Sequence, residues 1–256
     1  MSLLFRKLVF FGIISTITSD YFYGGSITWR LADPLVTGSP ISVIVTQTYT
    51  FYSSSVECTD LMIASNAQVN YSGLVTKQLQ CVLNCRSVSF SNINVIPNCI
   101  GNSGTFDSSI TQRLDRISLT DGDDFSIAYQ DGPWQSLTTN SKASWSLVSR
   151  INLTKRPNGL YNNAPFATMM SPIYVMESQK ANILIPTADI DNDDVRCRWA
   201  DSTNGIDECA DVCPPGSLPS GTTIYPNCTL IITGGAASDW YVVAIMVSNI
   251  IDTYEV

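Results

Sequence analysis

Apolar and polar residues alternate along most of this chain, which is typical of strands that bury one face. Residues 41–51 show the pattern most clearly, and residues 26–30 repeat it; β-branched and aromatic residues dominate both stretches. The first of these stretches places on one face Ile41, Val43, Val45, Gln47, Tyr49 and Phe51. The pattern predicts further strands at 68–72, 114–120, 125–130, 145–153, 173–176, 182–185, 195–199, 228–233 and 240–248. No stretch of twelve or more residues has a convincing helical apolar period, so we expect little helix.

The alternation stops at residues 154–171, where Pro157 and Pro165 interrupt the chain and Pro172 follows. Because proline cannot donate to a strand ladder, this segment is predicted to be a connection between domains. It divides the chain into a first β-rich module at residues 20–153 and a second at residues 172–256. Short strands separated by turn residues then predict an all-β fold of two tandem β-sandwich modules, immunoglobulin-like or cadherin-like.

The eight cysteines form two quartets of matching spacing. Each quartet contains a C-x3-C pair and ends in Pro-Asn-Cys after 13 or 14 intervening residues. This repetition predicts two disulfide-stapled modules built for an oxidising compartment. Four cysteines allow three pairings and the spacing leaves the choice open, but we expect the bridges to stay within each quartet. The quartets are Cys58, Cys81, Cys85 and Cys99, and Cys197, Cys209, Cys213 and Cys228.

The N-terminus also predicts secretion. Arg6 and Lys7 precede a short apolar run and a polar exit, the arrangement of a signal peptide over residues 1–19. Three N-x-S/T sequons begin at Asn70, Asn152 and Asn227. We expect glycans at the first two, and the sequence does not decide whether the third is occupied. No segment has the ~20 apolar residues of a membrane span, so the mature chain is expected outside the cell, secreted or on its surface.

Charge narrows the range of partners. The chain has 14 Lys and Arg against 22 Asp and Glu, a net charge of −8, and no cluster of cations. Nucleic acids and anionic membrane surfaces need such clusters, so neither is an expected partner. An extracellular protein or a glycan is expected instead.

The chain contains no histidine, which removes histidine-based nucleophile systems and the usual zinc sites. Paired cysteines cannot act as thiolates, so an enzyme would have to use carboxylates, lysine or tyrosine. Asp207 and Glu208 are adjacent acids of the kind a glycosidase uses, but the sequence places no second carboxylate opposite them. A non-enzymatic protein is therefore expected.

Alternating aspartates in residues 188–194 are the main candidate for a ligand site. Asp189, Asp191, Asp193 and Asp194 could converge oxygen ligands on Ca²⁺ at the junction of the modules, or could form a plain Asp-rich turn. The loop is not an EF-hand, because Asp194 takes the glycine position and Ala200 the place of the bidentate glutamate. Residues 120–124 pose the same alternatives, with the plain turn favoured. The expected cofactor is therefore either none or Ca²⁺.

Trp134 and Trp145 allow two interpretations. Trp134 follows Gly132 and Pro133 in a predicted loop, where an exposed indole could stack on a sugar ring. In small β-sandwiches, however, tryptophan more often fills the core, and that role is expected here.

Two resemblances follow from these segments. The aspartates at 189, 191 and 193 and the apolar stretch at 240–247 resemble cadherin-like and dystroglycan-type sandwich domains, which implies calcium binding and a role in adhesion. More loosely, segments at 24–30, 156–160, 171–174 and 195–199 resemble uncharacterised invertebrate extracellular mosaic proteins. We therefore expect an adhesion or structural protein, stiffened by calcium, with a glycan-binding module and a carboxylate-only hydrolase as alternatives.

Overall fold

A computed structural model describes residues 22–86, 88–169, 171–203, 205–251 and 254–255. The predicted signal peptide, residues 1–19, lies outside these ranges. The described chain is all-β, with a single α-helix, α1 (Asp60–Ala64), and short 3-10 turns at Ser72–Leu74 and Ala210–Val212. The strands are β1 Phe22–Leu31, β2 Ile41–Tyr52, β3 Gln78–Leu83, β4 Ile93–Asn94, β5 Asn98–Ser103, β6 Ser108–Leu119, β7 Asp124–Asp131, β8 Trp145–Asn152, β9 Phe166–Ala167, β10 Lys180–Leu184, β11 Thr187–Ala188, β12 Asp194–Trp199, β13 Thr223–Ile224, β14 Thr229–Thr233, β15 Ile245–Ile251 and β16 Tyr254–Glu255.

The N-terminal half, residues 22–153, contains two four-stranded sheets with the strand orders β1-β2-β6-β5 and β4-β3-β7-β8. Alternate residues of β2 and β7 are buried in one large core, as expected for sheets that bury one face each. The predicted inward face of β2 is confirmed, because all six of its residues are at most 1% exposed. The architecture is therefore sandwich-like.

Gln47 shows how this core accepts a polar side chain. It is fully buried, and its Oε1 accepts a hydrogen bond of 2.6 Å from the Tyr49 hydroxyl. Its Nε2 donates to an Asp115 carboxylate oxygen at 3.2 Å. Burial, and then the Asp115 charge, raise the pKa of the Tyr49 hydroxyl, so Tyr49 remains a donor.

The C-terminal half, which begins at residue 172 and includes β16, has smaller sheets. Their strand orders are β10-β14-β13 and β12-β15-β16, and β11 pairs with β9 from the connecting segment, residues 154–171. The buried core of this half is small: Ile185, Cys197, Cys228, Leu230 and Ile232. Within the connecting segment Tyr161 and Asn163 are each only 2% exposed, so this stretch is packed against the protein.

All eight cysteines are paired, and each bridge stays within its quartet. Both quartets have the same connectivity, in which the first cysteine joins the last and the C-x3-C pair joins itself. The bridges are Cys58–Cys99, Cys81–Cys85, Cys197–Cys228 and Cys209–Cys213. The structure thus selects one of the three pairings that the spacing left open.

Three strand predictions were wrong in whole or in part. Residues 68–72 form only a single bridge at Gln68, since Val69 and Leu74 enter the core from an irregular segment. Residues 173–176 form no strand, and Tyr174 is 66% exposed. The strand predicted at 240–248 begins only at Ile245, because Trp240 and Val242 pack against the N-terminal core instead of joining the ladder.

Candidate functional site

The loop between β11 and β12 brings three aspartates together. The Oδ1 atom of Asp189 accepts hydrogen bonds from the backbone nitrogens of Asp191, at 2.8 Å, and Asp193, at 3.2 Å. Between them Asn192 adopts a φ of 62°, a left-handed conformation that asparagine tolerates better than most residues. As a result, one oxygen from each of the three carboxylates lies within 4.8 Å of the others. We call Asp189, Asp191 and Asp193 the aspartate cluster.

Asn163 links this cluster to the N-terminal half. Its backbone nitrogen donates to Asp191 Oδ2 at 2.7 Å, and its Nδ2 donates to Asp191 Oδ1 at 2.9 Å. Its own Oδ1 accepts a hydrogen bond of 2.7 Å from the backbone nitrogen of Leu31, the last residue of β1. One buried side chain therefore joins the connecting segment, the N-terminal half and the aspartate cluster.

Asn249, on β15, lies at the centre of the site and is 2% exposed. Its Nδ2 is within 3.0–3.2 Å of four oxygen atoms, which belong to Asn162 (Oδ1), Asn163 (backbone carbonyl), Asp189 and Asp193. An amide nitrogen carries two protons, so it can satisfy two of these acceptors at a time. Around Asn249 Nδ2, four acceptor oxygens therefore share two donated protons.

Arg156 supplies positive charge at the edge of the cluster. Its guanidinium pairs with Asp193, and its Nη2 lies 3.6 Å from Asp191 Oδ2. Three carboxylates against one guanidinium leave an excess of negative charge when all are ionised. Burial raises the pKa of the Asp189 carboxyl, backbone hydrogen bonds from Asp193 and Asp191 oppose this, and the charges of the same two residues raise it further.

The donor set fits a hard cation such as Ca²⁺, which binds six to eight oxygens from carboxylates, amides and backbone carbonyls. The aspartate cluster, the side-chain oxygen of Asn162 and the carbonyl of Asn163 would hold it. In the structure, four of these oxygens surround Asn249 Nδ2, so an ion would have to take the place of that amide group. Sequence reasoning found the aspartates but missed Asn162, Asn163, Asn249 and Arg156. The adjacent asparagines at 162 and 163 were the available signal, and they were interpreted only as part of a linker.

Asp194 does not belong to the cluster, so the structure brings together three of the four predicted aspartates. Its side chain is 61% exposed and pairs with Arg196 Nη2 at 2.5 Å. Asp194 is the first residue of β12, where alternation along the strand turns its side chain away from that of Asp193.

The turn at residues 120–124 is built differently. Asp123 Oδ2 accepts from the Thr120 backbone nitrogen at 2.8 Å, while Asp121 pairs with Lys155 and Asp124 with Arg150. Each carboxylate thus has its own partner, as expected for the plain turn that the sequence favoured there.

Both candidate tryptophans are core residues. Trp145 is fully buried and Trp134 is 6% exposed, and their ring centroids lie 5.8 Å apart. The indole nitrogen of Trp134 donates to the Ser144 carbonyl at 3.1 Å. Neither ring presents a face to a sugar, so the glycan-stacking interpretation of Trp134 is wrong and core filling explains both.

The adjacent acids are engaged in local structure. Glu208 accepts two hydrogen bonds from the Arg198 guanidinium, at 2.7 and 2.8 Å, and a third from the Asp201 backbone nitrogen. Asp207 caps the backbone nitrogens of Cys209 and Ala210. Although Asp207 lies close to Cys209 and Cys213, these cysteines are disulfide-bonded and offer no thiolate to a metal.

The three sequon asparagines lie at different depths. Asn70 and Asn227 are exposed, whereas Asn152 is half-buried, and its Oδ1 accepts from the Thr154 backbone nitrogen at 2.9 Å.

In the described part of the chain, no helix has both the length and the apolar character needed to cross a membrane.

These features define an all-β, disulfide-rich, sandwich-like protein. Comparison with known proteins gives no match to a family model, a curated protein or a solved structure. The function must therefore be argued from the residues themselves.

Proposed function

We propose that this protein is a non-enzymatic extracellular protein that acts by binding, in adhesion or as a structural component. In this proposal its two halves are β modules whose junction is stiffened by Ca²⁺. Four disulfides are compatible with an oxidising, extracellular location. The crowded oxygen environment of Asn249 is the observation that carries the calcium part of the proposal.

The proposed role of the ion follows from where its ligands come from. Asn162 and Asn163 belong to the connecting segment, and Asn163 is bonded to β1 through Leu31. The aspartates lie in the β11–β12 loop, and Asn249 lies on β15 of the C-terminal half. A cation held by these oxygens would neutralise the cluster and restrict motion between the halves, because separating them would break its coordination.

Thermal unfolding with and without calcium tests this proposal. Ligand at about 100 times its Kd stabilises the folded state by about 2.7 kcal/mol. For a chain of this size we expect the unfolding midpoint to rise by about 5–10 °C on that basis. The double variant Asp189→Asn/Asp191→Asn should lose this rise. Circular dichroism or calorimetry in calcium and in chelator provides the measurement.

Asp194→Asn is the control, because it neutralises one aspartate next to the same loop while its side chain lies outside the cluster. It should retain the full calcium-dependent rise. The calcium part of the proposal would be refuted by a wild-type midpoint that is identical in calcium and chelator, or by equal loss of the rise in Asp194→Asn.

A further inference from the structure

We infer that residues 207–213, the loop closed by the Cys209–Cys213 disulfide, form a docking element that binds the C-terminal half to the N-terminal half. We call these residues the docking loop. This inference is independent of calcium, because the loop makes its contacts at β7, β8 and the segment before β8 and not at the aspartate cluster.

The docking loop is fixed internally before it meets its partner surface. Asp207 Oδ1 accepts from the backbone nitrogens of Cys209, at 3.2 Å, and Ala210, at 2.7 Å. The Val212 backbone nitrogen donates to the Cys209 carbonyl at 3.1 Å, and the disulfide closes the same turn. A short closed loop has little conformational freedom to lose on docking, so more of its contact energy is retained.

Three polar groups of the N-terminal half bind the docking loop. The Ser146 hydroxyl donates to the Asp207 carbonyl at 2.6 Å, and Gln130 Nε2 donates to the same oxygen at 3.3 Å. The backbone nitrogen of Ser144 donates to Asp211 Oδ2 at 2.9 Å. Both backbone and side chain of the loop are thus recognised by specific partners.

Val212 supplies the apolar part of the contact. It is 1% exposed and belongs to the large core cluster of the N-terminal half, not to the core of its own half. Full burial of a valine contributes about 1.5–3 kcal/mol. Trp240, also from the C-terminal half, packs beside the same core, and its ring stacks on Tyr23 with centroids 5.5 Å apart.

The corresponding C-x3-C loop of the first quartet provides an internal comparison. There the position of Val212 is occupied by Asn84, which is exposed, as is Cys85, and Val82 at the first of the three intervening positions is 38% exposed. A bridged C-x3-C loop therefore does not in itself require a buried valine. The burial of Val212 reflects contact with the other half of the molecule.

Hydrogen exchange at the Ser144 amide tests the inference, since this amide donates across the contact. We expect Val212→Ser to accelerate its exchange at least tenfold in the full oxidised chain, measured in chelator so that calcium plays no part. Exchange within β2 should remain at the wild-type rate. The control is Val82→Ser, which makes the same change at a 38% exposed position of β3 within the other bridged segment and should leave the Ser144 amide unaffected.

Asp211→Ala keeps the test decisive if Val212→Ser does not fold. Asp211 is exposed, so its truncation should leave the fold intact while removing the acceptor of the Ser144 amide. Faster exchange confined to Ser144 and its neighbours would support docking. Wild-type exchange at Ser144 in Asp211→Ala, or equal acceleration in Val82→Ser, would overturn it. None of these outcomes depends on whether calcium binds.

Discussion

Individual aromatic side chains carry much of the stability of the N-terminal half. Trp134 packs on Phe22 with ring centroids 4.8 Å apart and contacts Trp145 as well. We predict that Trp134→Ala lowers the free energy of unfolding by about 3–5 kcal/mol, the usual cost of truncating a buried aromatic residue. Urea denaturation provides the measurement. Tyr225→Ala, at a ring 48% exposed, should cost far less, and equal losses would contradict the assignment of Trp134 to the core.

The raised pKa of Asp189 gives calcium binding a pH dependence. Its folded pKa lies above the ordinary 3.8, so without metal the ionised carboxylate costs stability at neutral pH, and protonation on acidification removes that cost. Calcium needs the ionised form and must compete with this proton. We therefore predict that the calcium-dependent rise in unfolding temperature, measured at a fixed calcium concentration, declines as pH falls into the acidic range. A rise that stays constant down to pH 4 would contradict this.

At the residue scale, the sequence could predict one side of the candidate site and not the other. The alternating aspartates lie within five positions, so their convergence is a local property of one turn. Asn163 contacts Asp191 across 28 positions of the sequence, and Asn249 contacts Asp189 across 60. These contacts depend on the tertiary fold, which no local sequence pattern predicts. Asp194 lies apart from the other three aspartates because β12 begins there, and its side chain pairs with Arg196.

Among the elements of the fold, the two kinds of disulfide should contribute unequally. Cys197–Cys228 spans 31 positions and connects β12 to the residue before β14, whereas Cys81–Cys85 spans four. On the chain-entropy relation these bridges are worth about 4 and about 2 kcal/mol. We predict that replacing Cys197 and Cys228 by alanine destabilises the chain by about 2 kcal/mol more than replacing Cys81 and Cys85. Urea titrations of both double variants measure the difference, and equal losses would refute it.

Strands were predictable where burial alternates along them. β2 alternates buried and half-buried residues over most of its length, so its periodicity is visible in the sequence. β5 was missed because polar residues and glycine dominate it. β3 was missed although it contains Leu79, Val82 and Leu83, because it is placed by pairing with β7, which is distant in the sequence. The apolar residues at 173–176 predicted a strand that does not form, since Ile173 and Tyr174 lie on the surface.

For the whole molecule, two separate sets of contacts connect the halves, and both border one cleft. This cleft has a volume of about 1020 Å³, and its lining includes Asn162 and Asn249 beside the aspartate cluster and Val212 in the docking loop. Because the two sets use different chemistry, cation coordination in our proposal and apolar docking in our inference, weakening one should leave the other in place.

The nested connectivity of the two quartets has a consequence for how the protein is made. Cys99 completes the first quartet 98 positions before Cys197 opens the second. At synthesis rates of about 5–20 residues per second, the earlier thiols have about 5–20 s in which to oxidise before any competitor emerges. Nested bridges that follow the order of translation let a growing chain finish the cross-links of its leading portion first. If the chain is secreted as we propose, this order would limit scrambling between the two portions.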